Sequence, residues 1–218
     1  MILKKPALVL GPSAHLTFSL RLPGGRAVAI RPMGPPDTES LQEYVRGLSR
    51  VSRHNRFLGA LNELSPTELN RLSRLDLRDQ AVLIAEVQIN GVRTIIAEAR
   101  YAMLRDASQC EIALSVTDGW QRQGLGTLLL DVLERRASEL GARTVVADAL
   151  GSNQAVKGLF RKAGFAIRPD IGDARLVRMT KDVRPRVICR DTWPPASAGL
   201  RSWQQHPLGA RPRAQGGH

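Results

Sequence analysis

The chain has 218 residues and a mass of 23.9 kDa, a size that suits one domain with extensions and is short for two. No apolar run approaches the length of about 18 residues that a membrane-spanning helix needs, so a protein that crosses a membrane in this way is excluded. The formal net charge is +12, from 32 Lys and Arg against 20 Asp and Glu, which is typical of proteins that meet a nucleic acid, an anionic membrane or a polyanionic cofactor.

The excess positive charge is concentrated at the two ends of the chain. Residues 1–24 carry three cations and no acid, and residues 184–218 carry six arginines and one acid. The C-terminal segment is rich in Pro, Gly, Ala and Arg without apolar periodicity, which predicts a basic and largely unstructured tail. We interpret residues 1–24 as an N-terminal extension, because prolines and a glycine interrupt their apolar run and no cleavage site follows. The folded domain is predicted over residues 25–183.

Apolar periodicity divides residues 25–183 into strands and helices. A strand is predicted over 26–33, then an amphipathic helix over 37–50 and a second helix over 66–74 that opens with the capping sequence Ser65-Pro66-Thr67-Glu68. Asn90-Gly91 predicts the tight turn of an antiparallel hairpin between strands 81–88 and 92–104. The remaining predicted elements are strand 110–117, helix 124–140, strand 144–150, helix 153–163 and strands 165–167 and 176–180. This order predicts a single α/β (α+β) domain with a mixed central sheet of about six or seven strands and about four helices.

A glycine-containing loop, residues 120–127, joins a predicted strand to the longest predicted helix. Its sequence is Trp-Gln-Arg-Gln-Gly-Leu-Gly-Thr. The glycines allow a sharp turn that aims successive N–H groups at one point, and the helix N-terminus adds partial positive charge. This pattern is typical of a diphosphate site, although glycine at a helix entry also serves close packing alone. The loop lacks the Lys-Ser/Thr of an NTPase loop and the third glycine of a dinucleotide loop.

Residues 111–165 resemble the GNAT superfamily of acyl-CoA-dependent N-acetyltransferases. The resemblance rests on the [QR]-x-x-G-x-[GA] pattern at 121–126, on Asn153 after the next strand, and on the Lys-x-Gly-Phe sequence at 162–165. Element order matches over essentially all of residues 25–183. The resemblance implies the GNAT fold, acetyl-CoA as co-substrate, an amine acceptor and no metal.

A second resemblance lies upstream. This segment is similar to the acetyltransferase domain of bacterial Pat-type protein lysine acetyltransferases. The matching residues are Ser49, Ser52 and Arg56-Phe57, followed by Gly-Ala-Leu and Glu-Leu-Ser-Pro. A protein lysine is therefore the first candidate acceptor, and a small-molecule amine is the alternative. In proteins of this type a partner domain often accompanies the acetyltransferase domain. Here we expect the acetyltransferase domain to stand alone between short extensions.

The resemblance also assigns roles to individual residues. Glu111 lies nine residues before Trp120, and the resemblance to Pat-like domains implies that a glutamate at this spacing is the general base. The alternative is that Glu111 is ion-paired with one of the many arginines. Strand alternation puts Glu111 on the same face as Ser115, and Cys110 on the other. The residues implied to bind the cofactor are Leu114, Ser115 and Val116 along the pantetheine arm, Arg122, Gln123, Gly124, Leu125, Gly126 and Thr127 at the diphosphate, and Asn153 on the cofactor arm.

One position departs from the family pattern. Many GNAT enzymes have a tyrosine seven residues after the asparagine, as a proton donor to the leaving thiolate, and this chain has Phe160 there. Tyr44 and Tyr101 are the only tyrosines and are expected to be packing residues. The four histidines have no metal-binding spacing, and the two cysteines cannot make a disulfide framework, which favours a reducing, cytoplasmic compartment.

Alternatives of other classes stay open. One is a non-catalytic acyl-CoA-binding sensor, which would have the same loop without a functional base. Another is a protein whose basic tails contact nucleic acid, although no recognised nucleic-acid motif supports this. An acid-free patch of arginines with His54, around residues 46–56, is either a solvated helix face or a rim that prefers anionic substrates. The sequence does not decide whether the protein is a homodimer.

Overall fold

The structure is a computed structural model that describes residues 16–23, 25–104 and 108–184. Most of the predicted N-terminal extension and, apart from residue 184, all of the predicted basic tail lie outside the described residues, so the predicted division of the chain stays a prediction. The described residues form one mixed sheet covered by helices on both faces.

The sheet has eight strands in the spatial order β1-β2-β3-β4-β5-β6-β8-β7. In chain order they are β1 (Phe18–Arg21), β2 (Ala27–Pro32), β3 (Gln80–Ile89), β4 (Val92–Met103), β5 (Gln109–Val116), β6 (Thr144–Leu150), β7 (Ala166–Pro169) and β8 (Leu176–Asp182). β5 and β6 are parallel, and the other neighbouring strands are antiparallel. The single parallel pair is joined by a helical crossover, as parallel strands require.

Among the described residues, five α-helices cover the sheet: α1 (Thr38–Gly47), α2 (Arg50–Phe57), α3 (Pro66–Ser73), α4 (Leu125–Glu139) and α5 (Gln154–Lys162). The apolar stripe of α4, with Leu129 and Leu133, packs with Phe160 of α5 on one face of the sheet. Leu41 of α1 and Leu72 of α3 pack on the opposite face. The predicted α/β class is confirmed, and the sheet has one strand and the helical layer one helix more than predicted.

Two differences from the predicted elements have clear local causes. The sheet begins at β1, within the segment predicted as an extension, because Leu16 and Leu22 on either side of it are buried in the core. The single helix predicted over 37–50 is wrong at its end: α1 ends at Gly47, and Ser49 caps a separate α2 by accepting a hydrogen bond from the Ser52 N–H at 3.1 Å.

The predicted hairpin turn is confirmed. Asn90 and Gly91 both have positive φ, at 51° and 81°, which is the backbone of a two-residue turn that matches the twist of the strands. β3 and β4 pair along their whole length, with a register shift between Ala85 and Glu86. The long hairpin forms the centre of the sheet and presents β4 to β5.

Candidate active site

The parallel pairing between β5 and β6 is short. It joins residues 109–111 to residues 144–146, although both strands continue beyond these positions. On its other edge β5 stays paired with β4 as far as Val116. The sheet is therefore open between the carboxyl-terminal halves of β5 and β6.

Backbone donors of β5 face this gap. The Thr117 N–H donates to the Ile96 carbonyl of β4 at 2.9 Å, and in an antiparallel ladder every second residue makes such bonds. The backbone groups of Ser115 therefore point toward β4, and those of Leu114 and Val116 point toward β6, beyond the residues where the two strands pair. The N–H groups of Leu114 and Val116 can thus bond an extended ligand that enters the gap.

The loop after β5 has a backbone suited to an anion. Arg122 has φ 61° and Gly124 has φ 88°, both left-handed, on either side of Gln123, and α4 begins at Leu125. Turns of this kind point consecutive N–H groups to one side, and the first N–H groups of a helix have no partner within it. These donors, with the positive end of the α4 dipole, fit a diphosphate. An arginine in the left-handed region is strained, so the shape of this loop has an energetic cost.

Neighbouring side chains hold this loop. Gln123 donates to the Gly119 carbonyl at 3.0 Å and accepts from Nη2 of Arg26 at 2.7 Å. The Arg26 guanidinium also lies 4.1 Å from the centre of the Trp120 ring, a cation–π distance. Arg122 has an exposed side chain that pairs with no described residue, so it can approach an anionic ligand.

The far side of the gap is formed by the start of α5. Asn153 is its N-cap, and its Oδ1 accepts from the Val156 N–H at 3.2 Å. A Cβ at Gly126 would lie 3.5 Å from Cδ2 of Leu159, so α4 and α5 approach closely beside the loop. Phe160 is buried and packs edge-to-face on Phe165 at 4.8 Å between ring centres. No hydroxyl is available at that position.

Glu111 lies at the point where β5 and β6 separate. It is exposed and, within the described residues, makes no ion pair, so the ion-paired alternative has no support among them. Its neighbours on the β4 side are small, with Ala102 opposite it on β4 and Ala113 two residues further along β5, while Val146 lies opposite it on β6. Burial alternates along β5 as predicted, with Cys110 and Ile112 in the core on the other face. The small neighbours leave room above the sheet beside the Glu111 carboxylate.

A second carboxylate on the same face, Glu98, is fully buried. It accepts from Nε of Arg56 and, at 2.6 Å, from Nε of Arg100. Burial alone would raise its pKa, but the charges and hydrogen bonds of Arg100 and Arg56 hold the pKa at about 2, so Glu98 is ionised. Ser115 lies opposite Glu98 and shares a hydrogen bond of 2.8 Å with the Tyr44 hydroxyl, whose pKa is raised by burial. The sequence did not single out Glu98, because alternation predicts a face but not what covers it.

Comparisons with known proteins agree with this geometry. The sequence model of the acetyltransferase (GNAT) family matches residues 52–165. The chain is 32% identical over 156 residues to acetyltransferase PA5475 of Pseudomonas aeruginosa, covering 72% of this chain and 84% of that protein. The chain belongs to the GNAT acetyltransferase family.

Pat-type proteins are also among the relatives of this acetyltransferase. It is 27% identical over 158 residues to acetyltransferase Pat of Mycolicibacterium smegmatis, covering 72% of this chain but only 46% of that protein. The crystal structure of the GNAT domain of PAT from S. lividans superposes with a TM-score of 0.70 at 26% identity, covering 83% of this chain and all of that one. The chain thus spans about half the length of the Pat relative and the whole of an isolated Pat-type acetyltransferase domain.

Helix α2 of the acetyltransferase is tied to the turn that precedes the glycine loop, residues 120–127. Asp118 accepts from the hydroxyls of Ser49 and Ser52 at 3.0 and 2.9 Å, and from the Ser49 N–H at 3.2 Å. Burial acts to raise the pKa of Asp118, but these hydrogen bonds outweigh it and lower the pKa. Gln121 donates to Ser52 at 3.3 Å and to the Val116 carbonyl at 3.0 Å. We call this set of contacts the Asp118 clamp.

Most of the predicted arginine patch has partners within the protein. Arg46 pairs with Glu63, and Arg56 is inside the Glu98 cluster. Nη1 of Arg53 donates to the carbonyls of Val45, Arg46 and Leu48, at 3.4, 3.1 and 3.1 Å, where α1 ends. The patch is therefore largely structural, and Arg46, Arg50 and His54 are its exposed members.

Within the described ranges 16–23, 25–104 and 108–184, no helix is long and apolar enough to cross a membrane. The same residues contain no group of three or more His, Cys, Asp or Glu side chains arranged to hold a metal ion.

Proposed function

We propose that this enzyme transfers an acetyl group from acetyl-CoA to an amine, with a protein lysine as the favoured acceptor and Glu111 as the general base. The observation that carries the proposal is the exposed Glu111 carboxylate at the fork between β5 and β6, on the strand that leads into a loop suited to an anion. GNAT enzymes use acetyl-CoA as donor, and the relatives named Pat favour a protein acceptor.

The residues present fit acetyl-CoA. The N–H groups of residues 122–127 and the exposed Arg122 would hold the diphosphate, and the N–H groups of Leu114 and Val116 would hold the amide-containing arm. Ser115 supports this edge through its bond to Tyr44. Asn153 keeps its side-chain carbonyl for the α5 cap, so its NH₂ group is the part that would meet the arm. When bound, acetyl-CoA supplies a thioester whose acetyl carbon an amine can attack.

The chain's own groups then have defined tasks. A lysine amine with a pKa near 10.4 is neutral in only about one molecule in 10³ at pH 7, so a proton acceptor is needed. Glu111 takes that proton, directly or through a water, while the C–N bond forms and the C–S bond breaks. The Val116 N–H donates to the acetyl oxygen as negative charge develops on it. Phe160 cannot protonate the departing thiolate, which is stable enough to leave as the anion or to take a proton from water.

The test is acetyl-CoA-dependent acetylation of a panel of amines and lysine peptides, with release of free thiol as the readout. Glu111→Gln should lower kcat/KM by about 10²- to 10⁴-fold and leave the Kd for acetyl-CoA unchanged. Glu43→Gln, at an exposed glutamate of α1, is the matched control. Turnover that survives Glu111→Gln would contradict the role of the base. Tight acetyl-CoA binding without turnover of any amine would favour the sensor instead.

A small-molecule amine is the second acceptor class, and the panel separates it from lysine peptides. The cytoplasmic location and the homodimer stay predictions.

A further inference from the structure

We infer that the acceptor site contains an anion subsite formed by Arg56 and Arg100, and that the preferred acceptor is an amine that also carries a carboxylate. This rests on the proposed function, because it places the carboxylate of the acceptor relative to the amine at Glu111. The inference starts from the charge balance of the Glu98 cluster.

The Glu98 cluster has two guanidinium groups and one carboxylate. Each oxygen of Glu98 is taken by the Nε of one arginine. These three groups therefore have a net charge of +1, in a place where the Arg56 and Arg100 side chains are only 10% and 18% exposed. The charge of Glu68 on α3 also acts on Arg100, but both Glu68 oxygens accept hydrogen bonds from Arg71. Charges that are this far removed from water are normally balanced by a partner.

The two arginines also have hydrogen-bonding capacity that the described residues do not use. Nη2 of Arg56 and Nη2 of Arg100 are buried without a hydrogen-bond partner. Buried donors are normally paired, so two orphans on adjacent guanidinium groups indicate a missing acceptor. A carboxylate is the acceptor that matches a guanidinium in both charge and geometry.

Strand register connects this cluster to Glu111. Arg100 lies opposite Ala113, and Glu111 is two residues from Ala113 on the same face. Diagonal neighbours of this kind have Cβ atoms about 7 Å apart, so Arg100 and Glu111 flank the same stretch of the sheet, while the Arg100 guanidinium bonds Glu98. That stretch consists of Ala102 and Ala113, which are small and partly exposed.

Opposite charges thus lie along one face of the sheet. Glu111 attracts an ammonium group and takes its proton, and the surplus charge of the Arg56–Arg100 pair attracts an anionic group beside it. On the other side of Glu111 the nearby Arg178 is already paired with Asp148 through two hydrogen bonds, of 2.9 and 2.8 Å. The unbalanced positive charge therefore lies on the β4 side, and the acceptor carboxylate should lie there.

The experiment compares acceptors that differ only in this carboxylate. One arm uses blocked lysine peptides with Asp or Glu beside the lysine, against the same peptides with Asn or Gln. The other arm uses ω-amino acids against their amides, so that free amino acids are separated from acidic protein sequences. We expect kcat/KM to be about ten- to a hundredfold higher for the acid of at least one arm, as for a hydrogen bond between charged groups.

Variants assign the preference to the subsite. Arg100→Gln keeps the Arg56–Glu98 pair and should reduce the ratio of kcat/KM for the acid to kcat/KM for the amide to near one. Arg46→Gln changes a surface arginine paired with Glu63 and should leave this ratio unchanged. The ratio is the readout, so a uniform loss of rate does not affect it. If Arg100→Gln fails to fold, Arg56→Lys keeps the charge, removes the forked donor and should lower the same ratio. Equal rates for acid and amide with the unaltered enzyme, or a ratio that both variants leave intact, would overturn the inference.

A binding measurement separates this inference from the proposed function. If no amine is acetylated, the proposed function fails. The acid and amide peptides are then titrated into the enzyme with CoA by calorimetry. Tighter binding of the acid, lost in Arg100→Gln, would still support the subsite, and equal binding or no binding would refute it.

Discussion

The two edges of β5 are built for opposite purposes. Toward β4, the strand is paired as far as Val116, and the carboxylate there, Glu98, is completely buried. Toward β6, pairing stops after Glu111, and the carboxylate there is exposed. The same chemical group on the same sheet face is thus buried in an ion-pair cluster in one place and exposed in the other. The side chains that pack over the face set the difference, because Arg56 of α2 and Tyr44 of α1 lie at Glu98.

Replacing Glu98 or Glu111 by glutamine tests this contrast and has the largest expected effect. Glu98→Gln leaves two buried arginines without a counter-charge, and we expect the free energy of unfolding to fall by about 3–5 kcal/mol. Glu111→Gln is the matched control and should change it by less than about 0.5 kcal/mol. Urea unfolding of both variants measures the difference. Similar losses in the two variants would mean that the edges do not differ in this way.

Acid unfolding tests the same contrast without substitution. The folded-state pKa of Glu98 is lowered to about 2 from an ordinary value of 4.5, so its contribution is fully present above pH 4.5 and is lost as the pH falls toward 2. That contribution is on the order of 3 kcal/mol. Unfolding free energies measured across this interval should fall in the unaltered protein. A profile that stays flat between these pH values would contradict the assignment, even if Glu98→Gln cannot be purified.

The Asp118 clamp provides a test at the open edge of β5. Asp118→Asn keeps the shape but weakens three hydrogen bonds to Ser49 and Ser52, at a cost of about 1–2 kcal/mol. Because the clamp positions the loop and not the base, KM for acetyl-CoA should rise about three- to tenfold with little change in kcat. Steady-state kinetics with Asp131→Asn on α4 as control measures this. A fall in kcat at constant KM would mean that the clamp acts on the chemical step.

The smallest effect concerns the strained loop. Arg122→Gly and Arg122→Ala both remove the cation, so both should raise KM for acetyl-CoA. Only the glycine variant relieves the left-handed backbone at φ 61°, so it should be more stable than the alanine variant by about 1 kcal/mol. Thermal unfolding of the pair provides the measurement. Equal stabilities would show that the loop relaxes when the side chain is removed.

Local sequence signals were sufficient for most of the fold. The alternation of β5, the Asn90-Gly91 turn and the Ser65 cap depend on residues close in sequence, and each is found as predicted. β1 has only four residues and becomes a strand through contacts with β2. The leucine spacing of α1 runs on into Leu48, and a cap at Ser49 overrides it.

The site was predictable where chemistry follows a motif, and not where it depends on long-range contacts. The glycine loop and Glu111 were found from pattern and resemblance, and their roles stay predictions. Asp118 meets Ser49 across 69 positions of sequence, and Arg56 meets Glu98 across 42. No local period encodes such pairs, because they depend on how α2 lies across the sheet.

Helix α2 is attached unequally at its two ends. Ser52 and Arg56 are one turn apart, so the helix bonds Asp118, just before the glycine loop, with one residue and the Glu98 cluster with the other. None of its side chains is fully buried, and its first turn is held by exposed hydrogen bonds that water can replace. Its last turn is anchored by a buried ion pair. Spontaneous opening should therefore start at Ser49 and pivot about Arg56, so the amides of the first turn should exchange their hydrogens sooner than those of the last.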